Sequence, residues 1–153
     1  IISVLLENES GALSRVAGLF SARSFNIESL SVAPSEDESA SRMTIVTSGD
    51  DRVIEQVVKQ LNKLLDVIEV SEITADEHVE REIAFVKING KSIDDKMMSD
   101  FSTNEFLKIH KTKSNEIIIE CVDSPEKINL FLSSVKHIAV KIVRSGSVGI
   151  NSN

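Results

Sequence analysis

The chain has 153 residues, of which 41% are apolar, 27% charged and 4% aromatic, with neither Trp nor Tyr. That size suits one domain at the upper end or two small ones, with a core built from Ile, Val, Leu and Phe. The net charge is −7, most of it on the first 75 residues, which hold 12 acids against 6 bases; neither half has the basic excess of a nucleic-acid binder or of a protein drawn to anionic membranes.

Ile1 to Leu6 is an apolar run that ends in Glu7-Asn8-Glu9-Ser10-Gly11, which predicts a buried strand and then a loop. Leu13, Val16, Ala17 and Phe20 follow at helical spacing, with Ser10 as a candidate N-cap. Phe25 to Ala33 is β-prone and Pro34 stops it. The polar, acidic stretch from Pro34 to Ser41 predicts an exposed connection. Met43, Ile45 and Thr47 then alternate as in a strand. Gly49-Asp50-Asp51 can cap a helix whose apolar face is Val53, Ile54, Val57, Val58, Leu61 and Leu64. Asp66 to Ile73 predicts a fourth strand with Ile68 and Val70 on one face, giving the order βαββαβ.

Thr74 to His78 is polar and aperiodic, and predicts a linker between domains spanning 1–75 and 79–150. The order then repeats. Arg81 to Ile88 predicts a strand and Ser92 to Phe101 a short helix. Glu105 to Lys111 and Glu116 to Val122 form a strand pair joined through Lys113-Ser114-Asn115. Ser124-Pro125 places Ser at an N-cap and Pro at the first helical position, with Ile128, Phe131, Leu132 and Val135 as the apolar stripe. Ile138 to Val148 predicts the last strand. The fold class is therefore α+β, two tandem ferredoxin-like βαββαβ domains. Small units with open sheet edges favour pairing between copies, so a homodimer is expected.

Several function classes find no support. Gly11, Gly18, Gly49 and Gly90 stand alone, without dinucleotide or phosphate-loop spacing. The single Cys121 allows no intrachain disulfide and no zinc site of several thiolates; alternating with Ile117 and Ile119, it reads as a buried structural thiol. His78, His110 and His137 lack metal-ligand spacing, and Glu36, Asp37 and Glu38 read as a solvated charge run. No nucleophile, base and oxyanion hole assemble. No apolar stretch approaches the ~20 residues of a spanning helix. With no signal peptide or lipidation pattern either, a cytoplasmic location is expected.

One loop carries chemistry. Between the first strand and helix, Leu6 to Leu13 would present helix-start N–H groups and a partial positive charge, which suit a carboxylate. Gly11 lets a ligand approach the backbone, and Asn8 offers an acceptor and two donors. These are the needs of a small amino acid. The same residues also serve a simple turn, with Gly11 reversing the chain and Asn8 steadying it.

The run Ile2 to Val16 (ISVLLENESGALSRV) resembles the opening of the acetolactate synthase small-subunit family, which is built on ACT domains. Phe25 to Pro34, Ser41 to Ile45, Gln60 to Leu64, Asp66-Val67, His78 to Glu82 and Arg144-Ser145-Gly146 resemble it too. The likeness covers the first unit and the linker, and patches of the second; from Lys91 to Asn115 the chain is shorter than the family and poorly matched. Where the family has Gly and Tyr before its Asn-Ile-Glu-Ser run, this chain has Ser24 and Phe25.

The resemblance implies a non-catalytic regulatory subunit, with valine as allosteric effector and the catalytic large subunit as partner. It implies a site shared by two protomers. Asn8, Gly11, Ala12 and Leu13 would come from one copy, and Asn26 and Ile27 from the second strand of the other. N–H groups at Gly11 to Leu13 would hold the carboxylate. Thiamine diphosphate, Mg²⁺ and FAD would belong to the large subunit. Sensing of isoleucine or leucine is the near alternative, and a ligand-binding transcription regulator the distant one.

Overall fold

Alternation of buried and exposed residues along the strands builds two sheets, each with helices on one face. The computed structural model describes residues 1–112 and 115–152. These form two compact units, Ile1–Val79 together with the described residues from Ser147 onward, and Glu80–Gly146.

In the first unit the order is β1 (Ile2–Glu7), α1 (Ala12–Ala22), β2 (Ser29–Pro34), β3 (Ala40–Val46), α2 (Asp51–Leu61) and β4 (Val67–Glu72). The sheet is antiparallel with strand order β2-β3-β1-β4. Ile2, Val4 and Leu6 of β1, with Met43 and Ile45 of β3, pack against Val16 and Phe20 of α1 and Val57 and Leu61 of α2. Asp50 caps α2, its carboxylate accepting from the Val53 N–H at 2.9 Å.

Three local expectations need correction. The buried stripe of α1 is Ala12, Val16, Leu19 and Phe20. Leu13 and Ala17 face solvent, because a 3.6-residue period admits either of two adjoining stripes and Leu19 turns the helix toward its own side. On β4 the pairing shifts from Leu5↔Glu69 to Leu6↔Val67, leaving Ile68 as the extra residue of a bulge. Val67 and Val70 therefore both pack on the core while Ile68 is exposed. β2 starts at Ser29, not Phe25, and keeps Pro34 as its last residue on the sheet edge, where no inward N–H is required.

The second unit repeats the order with β5 (His78–Asn89), α3 (Asp95–Thr103), β6 (Leu107–Lys111), β7 (Glu116–Asp123), α4 (Pro125–Val135) and β8 (Ala139–Arg144), strand order β6-β7-β5-β8. The core is Ala84, Val86, Ile88, Ile119 and Cys121 under Ile128, Phe131, Leu132 and Val135, the α4 stripe expected from spacing. Phe131 meets Phe101 and Phe106 edge-on, with ring centroids 5.9 and 6.5 Å apart, which anchors α3 and the chain after it. Lys113 and Ser114, expected in the β6–β7 connection, lie outside the described residues. The last predicted strand divides at Gly146, whose φ is +78°. β8 ends at Arg144, and a separate β9 (Val148–Asn151) pairs with β5. Among the described residues no helix is long and apolar enough to cross a membrane.

Candidate functional site

The loop from β1 to α1 is held from both sides. The Asn8 N–H donates to the Ser39 carbonyl at 2.7 Å, and its side-chain amide donates to the Glu38 carbonyl at 3.0 Å. Asn8 thus ties its loop to the β2–β3 turn. That occupies amide donor capacity expected for a ligand, while the side-chain oxygen accepts no hydrogen bond from the described residues.

Gly11, not Ser10, is the N-cap. It sits at φ +92° with no side-chain cap, and its carbonyl accepts the first helical bond from the Arg15 N–H at 2.9 Å. A left-handed N-cap suits glycine. Of the expected carboxylate donors, the Ala12 N–H is directed at the Glu9 carbonyl at 3.3 Å, and the Ala12 side chain is buried. The N–H groups of Leu13 and Ser14 have no protein acceptor among the described residues, and the first turn of α1 holds no acid. Partial positive charge therefore remains open to an anion there. Leu13 is 45% exposed, an apolar surface beside those donors.

Spacing on the helix could have pointed to Arg15, four residues after Gly11 and so on the same side. A Cβ on Gly11 would lie 2.8 Å from Nη1 of Arg15. The space beside the Gly11 Cα is therefore filled by this guanidinium instead of standing open for a ligand, as the sequence suggests. Arg15 brings a positive charge to the loop, and its Nε and Nη2 both donate to the Asp66 carboxylate, which lies ahead of β4.

Asn26 and Ile27 are placed by the end of α1. The Phe25 N–H reaches the Phe20 carbonyl at 3.0 Å and the Ser24 N–H the Ser21 carbonyl at 3.2 Å, with Ser24 at φ +57°. This is a Schellman closure, and the Phe20–Phe25 edge-on contact at 6.2 Å supplies its hydrophobic clasp. Ser24 thus adopts the left-handed geometry usually given to Gly. Asn26 is exposed, its carbonyl accepting from the Thr47 hydroxyl at 2.6 Å, and Ile27 packs on the core edge. Both precede β2 instead of lying in it.

Register decides whether the two groups meet. Pro34 pairs with Ser41, which pairs with Leu6, so that end of β2 lies beside the loop carrying Asn8. Ser29 pairs with Val46, past Ile45 and its partner Ile2, at the far end of the sheet. Within one protomer, Asn8 to Leu13 and Asn26-Ile27 therefore occupy opposite ends.

The remaining candidates have structural surroundings. Cys121 is fully buried, and burial pushes its thiol up to about 11. The Asp37 carboxylate accepts from the Ser39 N–H at 2.9 Å and hydroxyl at 2.7 Å, which hold it below the usual carboxylate range and shape the β2–β3 turn. His110 pairs with Glu120 at 2.7 Å. Among the described residues no three His, Cys, Asp or Glu side chains gather as a metal site. In the second unit two matched stretches meet: Glu82 accepts from Arg144 Nε at 2.8 Å and Nη2 at 2.5 Å, and the Ile83 N–H donates to the Ser145 hydroxyl at 3.1 Å.

Comparison with known proteins agrees across both units. Residues 2–69 match the family model of the AHAS small subunit-like ACT domain, and residues 81–153 that of the small subunit of acetolactate synthase. The chain is 47% identical to the acetolactate synthase isozyme 3 small subunit of Escherichia coli, over 99% of this chain and 94% of that protein. It is 46% identical to the counterpart from Salmonella typhimurium, with the same coverage. The crystal structure of the acetolactate synthase small subunit from Thermotoga maritima matches it with a TM-score of 0.86 at 32% identity, covering 99% of this chain and 96% of that one. With sequence and fold agreeing from end to end, this chain belongs to the acetolactate synthase small-subunit family.

Proposed function

We propose that this chain binds the catalytic large subunit of acetolactate synthase, raises its activity, and lowers it again when valine occupies a site shared by two copies of the chain. Family membership supports the regulatory role. The sheet register carries the shared site.

Among the described residues β2 is an edge strand, paired with β3 alone. If two copies pair antiparallel through β2, the Ser29 end of one lies beside the Pro34 end of the other. The partner copy's Asn26 and Ile27 then arrive at the end of the sheet that holds Asn8 and Gly11. Val32, 41% exposed on β2, and Leu13 on α1 would gain cover. In this arrangement the Leu13 and Ser14 N–H groups and Arg15 receive the carboxylate. The Asn8 and Asn26 side chains orient the ammonium, and Leu13 and Ile27 line the apolar slot. Because the site exists only in one packing of two protomers, ligand binding biases that packing, and linkage passes the bias to the large subunit. The proposal places thiamine diphosphate, Mg²⁺ and FAD on the large subunit, none on this chain, and the assembly in the cytoplasm.

Calorimetry of valine, leucine and isoleucine, with and without the large subunit, tests the reading. Gly11→Asp should abolish valine binding, since its carboxylate competes for the same donors. Asn26→Ala should weaken it. Mixing the two variants should restore about one quarter of the sites, because half of randomly mixed dimers are hybrids with one intact site. Undiminished binding in Gly11→Asp, or no recovery on mixing, would remove the shared site. A stronger response to leucine or isoleucine would reassign the effector, and failure to co-purify with the large subunit would remove the regulatory role.

A further inference from the structure

The first sheet has a second face, turned away from α1 and α2. Pleating sends Ser3 of β1, Arg42 of β3, and Glu69 and Ser71 of β4 to that side, opposite the buried Val4 and Met43 and the partly buried Val70. A cavity of about 350 Å³ lies against it. β9 supplies part of the wall through Gly149, Ile150 and Asn151, and every lining residue belongs to the first unit.

Polar groups in this cavity are left unmatched in a particular way. The Asn151 side-chain oxygen is buried and receives no hydrogen bond from any of the described residues. The Arg42 guanidinium makes one long bond, 3.3 Å to the Ser3 hydroxyl, and among the described residues no carboxylate pairs with it, although Glu36 and Glu69 line the same space. Arg42 and Glu69 both stand opposite Leu5, on either side of β1. Their Cα atoms are therefore two strand spacings apart, about 9.5 Å. Direct pairing would require both side chains to stretch across the middle strand, and Arg42 leans along the sheet to Ser3 instead. One water could answer the Asn151 oxygen, yet it would leave the half-buried Arg42 guanidinium without a counter-ion, while Glu36 and Glu69 stand exposed at the rim.

We infer that this cavity binds a small zwitterion with the chemistry of an α-amino acid, at a site separate from the Gly11 loop. The carboxylate lies against Arg42 and the Ser3 hydroxyl. The ammonium lies between Glu69 and the Asn151 oxygen, with the Ser71 hydroxyl beside it. Donors for an anion and acceptors for a cation, facing each other across one strand, fit a molecule that carries both charges a few bonds apart. The volume is at the low end for small-molecule sites, and Ile150 leaves an apolar margin for a short side chain. The inference does not rest on the reading of the Gly11 loop.

Amide chemical shifts of the full-length ¹⁵N-labelled chain, titrated with L-alanine, test it. Acetate and ethylamine serve as controls that each carry one half of the zwitterion. Saturable shifts at Ser3, Ser71 and Gly149 are expected, larger for alanine than for either control. Arg42→Gln and Asn151→Ala should each weaken binding about tenfold or more, the loss of a charged hydrogen bond. Gly11→Asp should leave these shifts in place. No shift up to about 50 mM alanine, an affinity below any useful range, would overturn the inference and leave the cavity to water. So would shifts confined to Leu13 and Ser14, acetate matching alanine, or a folded Arg42→Gln that binds as before. If Arg42→Gln does not fold, Asn151→Ala decides the matter by the same criterion.

Discussion

Arg15 and Asp66 join the first turns of α1 to the approach of β4 by a two-pronged ion pair, the Nη2–Oδ1 arm measuring 2.7 Å. The Asp66 carbonyl accepts from the Glu7 N–H at 2.8 Å, so this one residue grips both ends of the loop that holds Asn8 and Gly11. The Arg15 guanidinium, chiefly by its hydrogen bonds, holds the Asp66 carboxyl below the usual carboxylate range. A depressed folded value means that the pair's contribution is present above the unfolded carboxylate value of about 3.9 and is lost as pH falls through the folded value. Asp66→Asn should therefore be less stable than the parent at neutral pH, with the gap closing in acid. Urea unfolding at both pH values checks this; a gap independent of pH would show that Asp66 acts by shape alone.

Gly11 is constrained twice, by φ +92° and by the Arg15 guanidinium. Gly11→Ala should cost about 1–3 kcal/mol, the range for a non-glycine residue held at such an angle. Repeating the change in Arg15→Ala separates the two causes. The cost should shrink by whatever the close approach contributes and keep its backbone part. Equal costs in both backgrounds would mean that Arg15 yields freely.

Ser24 is held in a left-handed geometry that Gly adopts without strain. Relief of about 1–2 kcal/mol is offset by the greater freedom glycine has in the unfolded chain, about 0.4–1 kcal/mol. Ser24→Gly should thus stabilise the first unit by roughly 0.5–1 kcal/mol. A lower midpoint in denaturant would show that the Ser24 side chain contributes more than the strain it carries.

Glu82 is 4% exposed at its side chain, while Arg144 is 39% exposed. Arg144 also donates to the Asn129 side-chain oxygen at 2.8 Å. Arg144→Ala would strand a buried carboxylate and should cost about 2 kcal/mol, less than a fully buried pair because water reaches one partner. Glu82→Gln, which keeps the volume and removes the charge, should cost less. The reverse order would place the energy in packing of the Arg144 stem.

Element order is legible in the sequence because most apolar stripes have one solution. Ile128, Phe131, Leu132 and Val135 of α4 lie where their spacing puts them, and Asp50 caps α2 from a position that local chemistry marks. The stripe of α1 is ambiguous by one position, and only the sheet beneath it selects Leu19 over Leu13. The bulge at Ile68 depends on pairing with β1, which no local window contains. Gly11 can be recognised as a turn residue, but Arg15 filling its open side follows from Asp66, 51 positions later. The separation of Asn8 from Asn26 requires strand register, so the sequence brings both to notice without showing that one protomer keeps them apart.

β9 belongs to the unit formed by residues 1–79, and the Ser152 N–H reaches back to the Glu77 carbonyl at 2.9 Å. On the ribosome, therefore, the unit begun before Glu80–Gly146 is finished only after it. Its wall at Ile73 waits for Gly149, which must clear the exit tunnel after the whole intervening unit has emerged. Translation that stops shortly before Ser147 would release a chain with the Gly11 loop present and the opposite face of the sheet incomplete.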